Sequence, residues 1–422
     1  MRLRAGAIDE NAQPQDWRSS ALVAIVLGAI LFNFALCFVN TNLFRTGAGI
    51  VIGCEIALIG ATLALLGLRA FDLFVILGVY VAYTLFLAAL QGSFDPKPAR
   101  DLMIPVIFYF AARELGSRED GDRLVWAAIW IVLGVGLFEY AFLKQFVRLF
   151  DILGYYVSRG TVQAAAAEIS GDRLFASGMR YEGRTLLPML GEHRVSSVFL
   201  EPVSVGNFGA ICFSWIVLRE WGRPLRMIVR LAPVIAIFTL ADARFGLSVS
   251  LLSVGAFAFA RVTGRVIVAA TPFAIIIALA WVGYTWPDVA WDNTLRGRIL
   301  LSGQFLSKLD AADVFALVPN FAFTADSGYA YTLVKIGLAG FAAMWFLFAM
   351  APARDDASWR YRVFVAIYVT LLLVISNSIY SIKTAALLWY LVGALDAPRR
   401  APAPAPAKAA IAPLRRAAMR PA

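Results

Sequence analysis

The chain has 422 residues, of which 60% are hydrophobic and only 16% charged, with a mean hydropathy of +0.73. A soluble domain carries roughly 25% charged residues, so this composition excludes an ordinary water-soluble fold and points to a polytopic membrane protein. The net charge of +10 does not mark a nucleic-acid binder: the Arg and Lys residues sit between apolar runs and in the C-terminal tail, where membrane topology accounts for them.

Residues 1–20 are polar and mildly basic, show no cleavable signal peptide, and are expected to form a cytoplasmic N-terminus. Apolar runs near the spanning length of about 20 residues occupy 21–39, 49–67, 72–91, 124–145, 203–218, 266–286, 328–350 and 361–377. Shorter candidates lie at 101–112, 230–241, 245–260 and 383–396. The expected fold is all-α and membrane-embedded, with about twelve transmembrane helices over residues 21–396. Arginines orient it. With the N-terminus inside, the cytoplasmic turns carry Arg69; Arg113, Arg118 and Arg123; Arg219, Arg223, Arg226 and Arg230; Arg261 and Arg265; Arg354, Arg360 and Arg362. The short outward turns carry only Arg45, Lys97, Arg100, Arg244 and Lys383. This is the positive-inside pattern, and it places both termini in the cytoplasm.

Two outward segments, 146–202 and 287–327, are too long for simple connectors. Their Tyr, Trp, Phe and Leu residues predict folded periplasmic caps with short helices. Asp151–Val157 fits a segment lying along the interface, and Ala164–Glu168 favours helix by propensity. The tail 397–422 alternates Ala and Pro with scattered Arg and Lys, a composition that predicts a disordered cytoplasmic tail in touch with anionic lipid. Cys37, Cys54 and Cys212 fall in apolar runs and read as small hydrophobes; a Cys37–Cys54 disulfide has no positive support.

Polar chemistry concentrates in Gly191–Pro202, which holds the only histidine, His193, together with Arg194 and Glu201. Arg180, Arg184 and Glu192 approach the same outer edge. Asp242 and Arg244 separate two short apolar runs, which puts Arg244 at or just below the outer surface. They are either a functional pair in a costly environment or a local ion pair with Arg244 snorkelling to headgroups. Arg296 and Arg298 follow in the second cap, and Asp326-Ser327-Gly328-Tyr329 opens a late span. Outward arginines close to the bilayer suit a phosphate-bearing lipid, since guanidinium offers a planar fork of donors; binding of anionic headgroups is the plainer alternative. His193 and Glu201 are rival general bases, the first for its unperturbed pKa, the second because partial burial is expected to raise its own. A structural Glu201–Arg contact is equally open. A lone histidine makes no metal site. Glu55, Glu139, Lys335 and Lys383 lie near outer span ends, where snorkelling suffices, and Asp120-Gly121-Asp122 reads as a solvated charge run.

Three segments together resemble a known family. His193-Arg194-Val195-Ser196-Ser197-Val198-Phe199-Leu200-Glu201-Pro202, followed by Gly206 and Phe208, is similar to the Arg-x-x-Ser-x-Phe-x-Glu-Pro signature of Wzy-type polysaccharide polymerases. Ala243-Arg244-Phe245-Gly246 looks like their Ser-Arg-x-Gly between two short helices, with Ala243 in place of the usual Ser. Asp326-Ser327-Gly328-Tyr329, with Gly337 and Gly340, resembles their Asp-Ser-Gly-Tyr. The order of motifs and the two large loops extend the likeness over residues 20–395.

The resemblance implies a GT-C-like glycosyltransferase of the bacterial inner membrane, working at its periplasmic face without metal or other cofactor. Donor and acceptor would both be oligosaccharides linked to undecaprenyl diphosphate, and a chain-length regulator would be a partner. Arg194, Arg244 and Arg298 would bind the diphosphate. Glu201 or His193 would take the acceptor proton, and Asp326 and Tyr329 would orient the acceptor or brace an arginine. Two other readings stay open. An O-antigen ligase, which belongs to the same broader superfamily, would use the same donor and transfer it to a lipid A core. A lipid-oligosaccharide transporter would instead need internal repeats and polar residues at the bilayer midplane.

Overall fold

The computed structural model describes residues 17–163, 173–181, 183–288, 290, 292, 294–320, 324 and 327–398. The expected helix at Ala164–Glu168, Asp326, and the tail beyond residue 398 lie outside these.

Sixteen α-helices follow one another in the described residues, and all twelve apolar runs fall on helices. These are α1 (Trp17–Asn42), α2 (Ala48–Leu66), α3 (Phe71–Gln91), α4 (Pro96–Leu115), α5 (Arg118–Ala141), α8 (Pro202–Arg219), α9 (Pro224–Ala241), α10 (Arg244–Phe259), α11 (Arg265–Thr285), α14 (Gly328–Met350), α15 (Asp356–Ile375) and α16 (Ile382–Asp396). Nine of them are long and apolar enough to cross a membrane. The other three fall short for visible reasons. α4 carries Lys97, Arg100 and Asp101 in its first turns, and α10 and α16 have only 16 and 15 residues. Local sequence sets the boundaries. Ser117 caps α5 by accepting from the Asp120 N–H, and Pro202 and Pro224 occupy first-turn positions of α8 and α9, where a missing N–H costs nothing.

The long segments do fold into short elements. The first holds α6 (Leu143–Leu149), α7 (Ile152–Ser158) and single 3-10 turns. The second holds α12 (Leu295–Ser307) and α13 (Ala311–Val314). Both return to the same end of the bundle. There Tyr331 of α14 donates to Asp101 of α4 (2.7 Å), and Gln91 of α3 donates to the Ala316 carbonyl (2.8 Å). At the opposite end Arg118 pairs with Asp355 (2.7 Å) and Arg219 with Asp122 (2.7 Å), while Arg362 pairs with Asp396. These two polar belts, hereafter the loop face and the Arg118 face, bracket the apolar slab.

The Asp120-Gly121-Asp122 run is only partly solvated, since Asp122 alone keeps 32% of its side chain exposed. Asp120 is buried and accepts from Ser19 (2.6 Å) and Ser117 (2.6 Å), and Asp122 accepts from the Trp215 indole (2.9 Å) as well as from Arg219. Both carboxylates pin helix ends together, because the residues facing them supply the donors they need. The three cysteines are free.

At the centre stands α16, packed on α4, α1, α5, α8 and α15. Its Gly393 lies so close to α4 that an added Cβ would sit 2.1 Å from the Tyr109 carbonyl oxygen. Close backbone approach through a small residue is how helices associate in lipid, where there is no hydrophobic force between them. We predict that Gly393→Val lowers stability by about 1–3 kcal/mol, the usual cost of overpacking. An unchanged melting temperature of the detergent-purified variant would contradict this contact.

Candidate functional site

Two polar clusters of the loop face hold the expected residues, one around Asp242 and one around Glu201. The first begins with the turn between α9 and α10. A helix that ends without a following turn leaves carbonyls unpaired, and here the first long segment supplies the donors. Arg184 donates through Nη2 to the Thr239 and Leu240 carbonyls, the latter at 2.9 Å, and through Nη1 to the His193 carbonyl (2.7 Å). Arg194 donates to the carbonyls of Ala241 (3.2 Å), Ser177 (3.0 Å) and Asp242 (3.4 Å). Asp242 has left-handed backbone (φ 46°), and its carboxylate pairs with Arg180 and accepts the N–H groups of Thr185 (3.1 Å) and Leu186 (2.7 Å). An isolated bridge between Met179 and His193 holds these arginines in register.

Four guanidiniums thus gather around Asp242. Arg184 and Arg194 are buried, Arg180 is partly covered, and Arg244, in the first turn of α10, is exposed. Burial, followed by the positive charges of Arg180, Arg244 and Arg184 and against the pull of Asp242, brings Arg194 down to about 10 from 12.5. Behind Arg244, α8 and α10 meet through glycines: a Cβ on Gly246 would lie 2.3 Å from the Gly206 carbonyl oxygen, and one on Gly206 would lie 2.8 Å from the Ala243 Cβ. The residue at 243 therefore lies directly over Gly206, with its methyl group against the backbone of α8.

Between the clusters runs the turn Ser196–Leu200. Ser197 and Leu200 both have positive φ, 47° and 63°, a conformation that costs roughly 1–3 kcal/mol for such residues. Glu139 of α5 holds it. Its fully buried carboxylate accepts the N–H groups of Ser196 (2.9 Å) and Ser197 (2.6 Å), a backbone nest for an anion. His193 Nε2 lies 3.1 Å from Glu139 Oε1, but neither ring nitrogen is aligned for a hydrogen bond. His193 is buried against Glu139, on the inner side of the loop.

Glu201 opens the second cluster. Its carboxylate accepts from the hydroxyls of Tyr156 (2.8 Å) and Ser204 (2.9 Å) and lies 3.4 Å from Lys383 Nζ, which also donates to the Phe199 carbonyl. The side chain keeps 27% of its surface exposed. Burial pushes this carboxyl up, but Lys383 and the two hydroxyls outweigh it and hold the group below its ordinary 4.5. The expectation of a raised pKa is overturned because the sequence does not reveal that Lys383, 182 residues away, faces it.

The remaining expected residues are spread more widely. Arg298 is half-buried on α12, which packs on α11, α14 and α15. Tyr329 is fully buried in the bundle and donates to the Thr370 carbonyl (3.1 Å), away from the loop surface. Asp326 lies outside the described residues. Snorkelling describes neither Glu139 nor Lys383, both buried and partnered, nor Glu55, which pairs with Arg100. Sequence reasoning misses Glu139, Lys383 and Tyr156 as site residues. The signal for the first two is present, a charge inside an apolar run. Among the described residues no group of three His, Cys, Asp or Glu side chains could hold a metal.

Comparison with known proteins returns no relative. No family model matches the chain, and no curated protein or solved structure is similar to it.

The Glu201 cluster makes a pH prediction. A carboxyl held below its unfolded value stabilises the fold above that value, near 4.5, and the contribution is lost as pH falls through the folded one. In Lys383→Met burial wins, the Glu201 carboxyl rises, and acid loss of stability begins at higher pH than in the parent. Melting temperatures across the acidic-to-neutral range measure the displacement; superimposable profiles would contradict the assigned pairing.

Proposed function

We propose that the protein is a membrane glycosyltransferase of about twelve spans and GT-C-like organisation that joins lipid-diphosphate-linked oligosaccharides, in the manner of a Wzy-type polymerase. In this reading the loop face is periplasmic, both termini are cytoplasmic and the membrane is the bacterial inner membrane. The observation that carries it is Arg244: an exposed arginine in the first turn of a 16-residue helix, close enough to the buried Arg194 for the two charges to oppose each other. A helix N-terminus and unbalanced guanidiniums both favour an anion, and a diphosphate at the membrane surface is an anion at the right depth. The three sequence motifs then supply its class.

The roles differ from a simple arginine triad. Arg244, with Arg180 at its side, is the ligand of the diphosphate. Arg184 and Arg194 have their donors on the α9 carbonyls, so they position the turn and add positive potential. Arg298, on the second cap, joins the diphosphate site only if that cap moves towards Arg244 when a substrate is bound. Tyr329 braces α14 from within. The acceptor hydroxyl attacks the anomeric carbon, the bond from that carbon to the diphosphate oxygen breaks, and the electron pair leaves on the diphosphate, where the guanidiniums stabilise it. The hydroxyl proton passes to Glu201. A carboxylate below the ordinary range is ionised at neutral pH and always ready to accept, with less driving force than a base near 7. Its partial exposure favours it over His193, which is buried against Glu139.

Purified protein in nanodiscs, given the lipid-linked repeat that accumulates in a deletion strain, should build a ladder of longer glycans. Arg244→Ala should slow it about 10²–10³-fold, the loss typical of one charge-stabilising donor. Near-normal turnover in a folded Arg244→Ala variant would overturn the proposal. Transfer to lipid A core without a ladder would identify a ligase instead, and appearance of intact lipid-linked repeat in the opposite leaflet a transporter.

A further inference from the structure

Away from the Asp242 and Glu201 clusters lies a cavity of about 230 Å³ between α4, α14, α15 and α16, with Ile76 of α3 on its edge. Its walls are almost wholly apolar: Leu102, Val106 and Phe110 of α4 face Phe341, Met344 and Phe348 of α14. Leu347, on its rim, is 53% exposed, so the cavity opens sideways, towards lipid. Along α4 the lining runs from Leu102 to Arg113 and along α15 from Leu373 to Arg362, in each case about 16 Å at 1.5 Å per residue. That is close to half of a hydrocarbon core of roughly 30 Å, the reach of one acyl chain in one leaflet.

The end of the crevice at the Arg118 face is the polar one. Arg113 lies there with its side chain 36% exposed, 3.4 Å from Glu114 and 3.9 Å from a well-exposed Asp72, ion pairs of little strength. Arg362 lines the same end. Its Nη groups are taken by Asp396 and the Ala351 carbonyl, but its Nε is a buried donor with no partner among the described residues. Further along the wall the Trp389 indole N–H is likewise buried and without a partner among them. Buried donors ordinarily find an acceptor, and these two flank a space that a bilayer will not leave empty.

We propose that this crevice binds an anionic phospholipid of the leaflet at the Arg118 face. One acyl chain lies between α4, α14, α15 and α16, the phosphate meets Arg113 and the Arg362 Nε–H, and the Trp389 N–H donates to an ester carbonyl. Filling an apolar slot in a membrane releases no hydrophobic free energy, because the chain leaves surroundings as apolar as those it enters. Selectivity must then come from the charged end, which makes headgroup charge the property to measure. The proposal concerns the Arg118 face of the protein and stands apart from the reading of Arg244.

Native mass spectrometry of the full chain, released from nanodiscs of mixed phosphatidylglycerol and phosphatidylcholine, tests it. The parent should retain phosphatidylglycerol about tenfold over phosphatidylcholine under conditions that strip annular lipid. Arg113→Gln should reduce that preference several-fold while leaving the melting temperature in lipid-free detergent unchanged. Met344→Trp, which fills the slot, should abolish retention of both lipids. Equal retention of the two lipids by the parent would overturn the proposal, as would retention indifferent to both variants. So would preferential retention of added polyprenyl phosphate over phosphatidylglycerol, which would make the occupant a substrate lipid.

Discussion

The turn between α9 and α10 is held by the first long segment, through the Val195 N–H on the Leu240 carbonyl and through Arg180, Arg184 and Arg194. A helix ending at the membrane surface exposes its last carbonyls where water is scarce, and each unpaired group there is costly. Arg184 and Arg194 satisfy those of Thr239, Leu240, Ala241 and Asp242, while Arg180 neutralises the Asp242 carboxylate. The loop is therefore not a lid laid over a finished bundle. It caps one of the bundle's helices, and the helix end in turn orders the loop.

Meeting that structural need leaves an electrostatic surplus. Among the described residues Arg180, Arg184 and Arg194 gather around a single buried carboxylate, Asp242. Burial first, and the neighbouring positive charges second, hold Arg194 below its ordinary value. Glu139 acts in the complementary sense nearby: buried, it draws in the backbone N–H groups of Ser196 and Ser197 and keeps Glu201 at the mouth of α8. Arg184 and Glu139 thus hold the loop in place, and substitutions there act first on the fold.

Much of this was legible in the chain. Apolar runs, eight near spanning length and four shorter, fall on all twelve principal helices, because in lipid the backbone must satisfy itself within each segment. The Arg244 turn and the Glu201-Pro202 helix start were visible as charges interrupting those runs. What could not be read was pairing across distance. Nothing local in Lys383 says that it meets Glu201, and without that contact burial alone predicts the wrong direction for the carboxyl. Nor does Arg194 announce that its fork faces backbone; exposed and buried arginines are spelled alike. Asp120 and Asp122 misled for the same reason, since their partners Ser19, Trp215 and Arg219 come from other helices.

The place of α16 bears on how such a protein is made. This helix is the last of those described and also the one the others surround, with nearly every residue from Ile382 to Leu395 buried. The segments synthesised before it, α1, α4, α5 and α8, therefore enter the bilayer with a vacant slot at their centre and close only when it arrives. Until then Tyr109, Glu201 and the Ser197–Phe199 turn lack partners that the finished fold provides. Biogenesis is consequently exposed at this step: a chain interrupted before Ile382 has the surrounding helices and no centre.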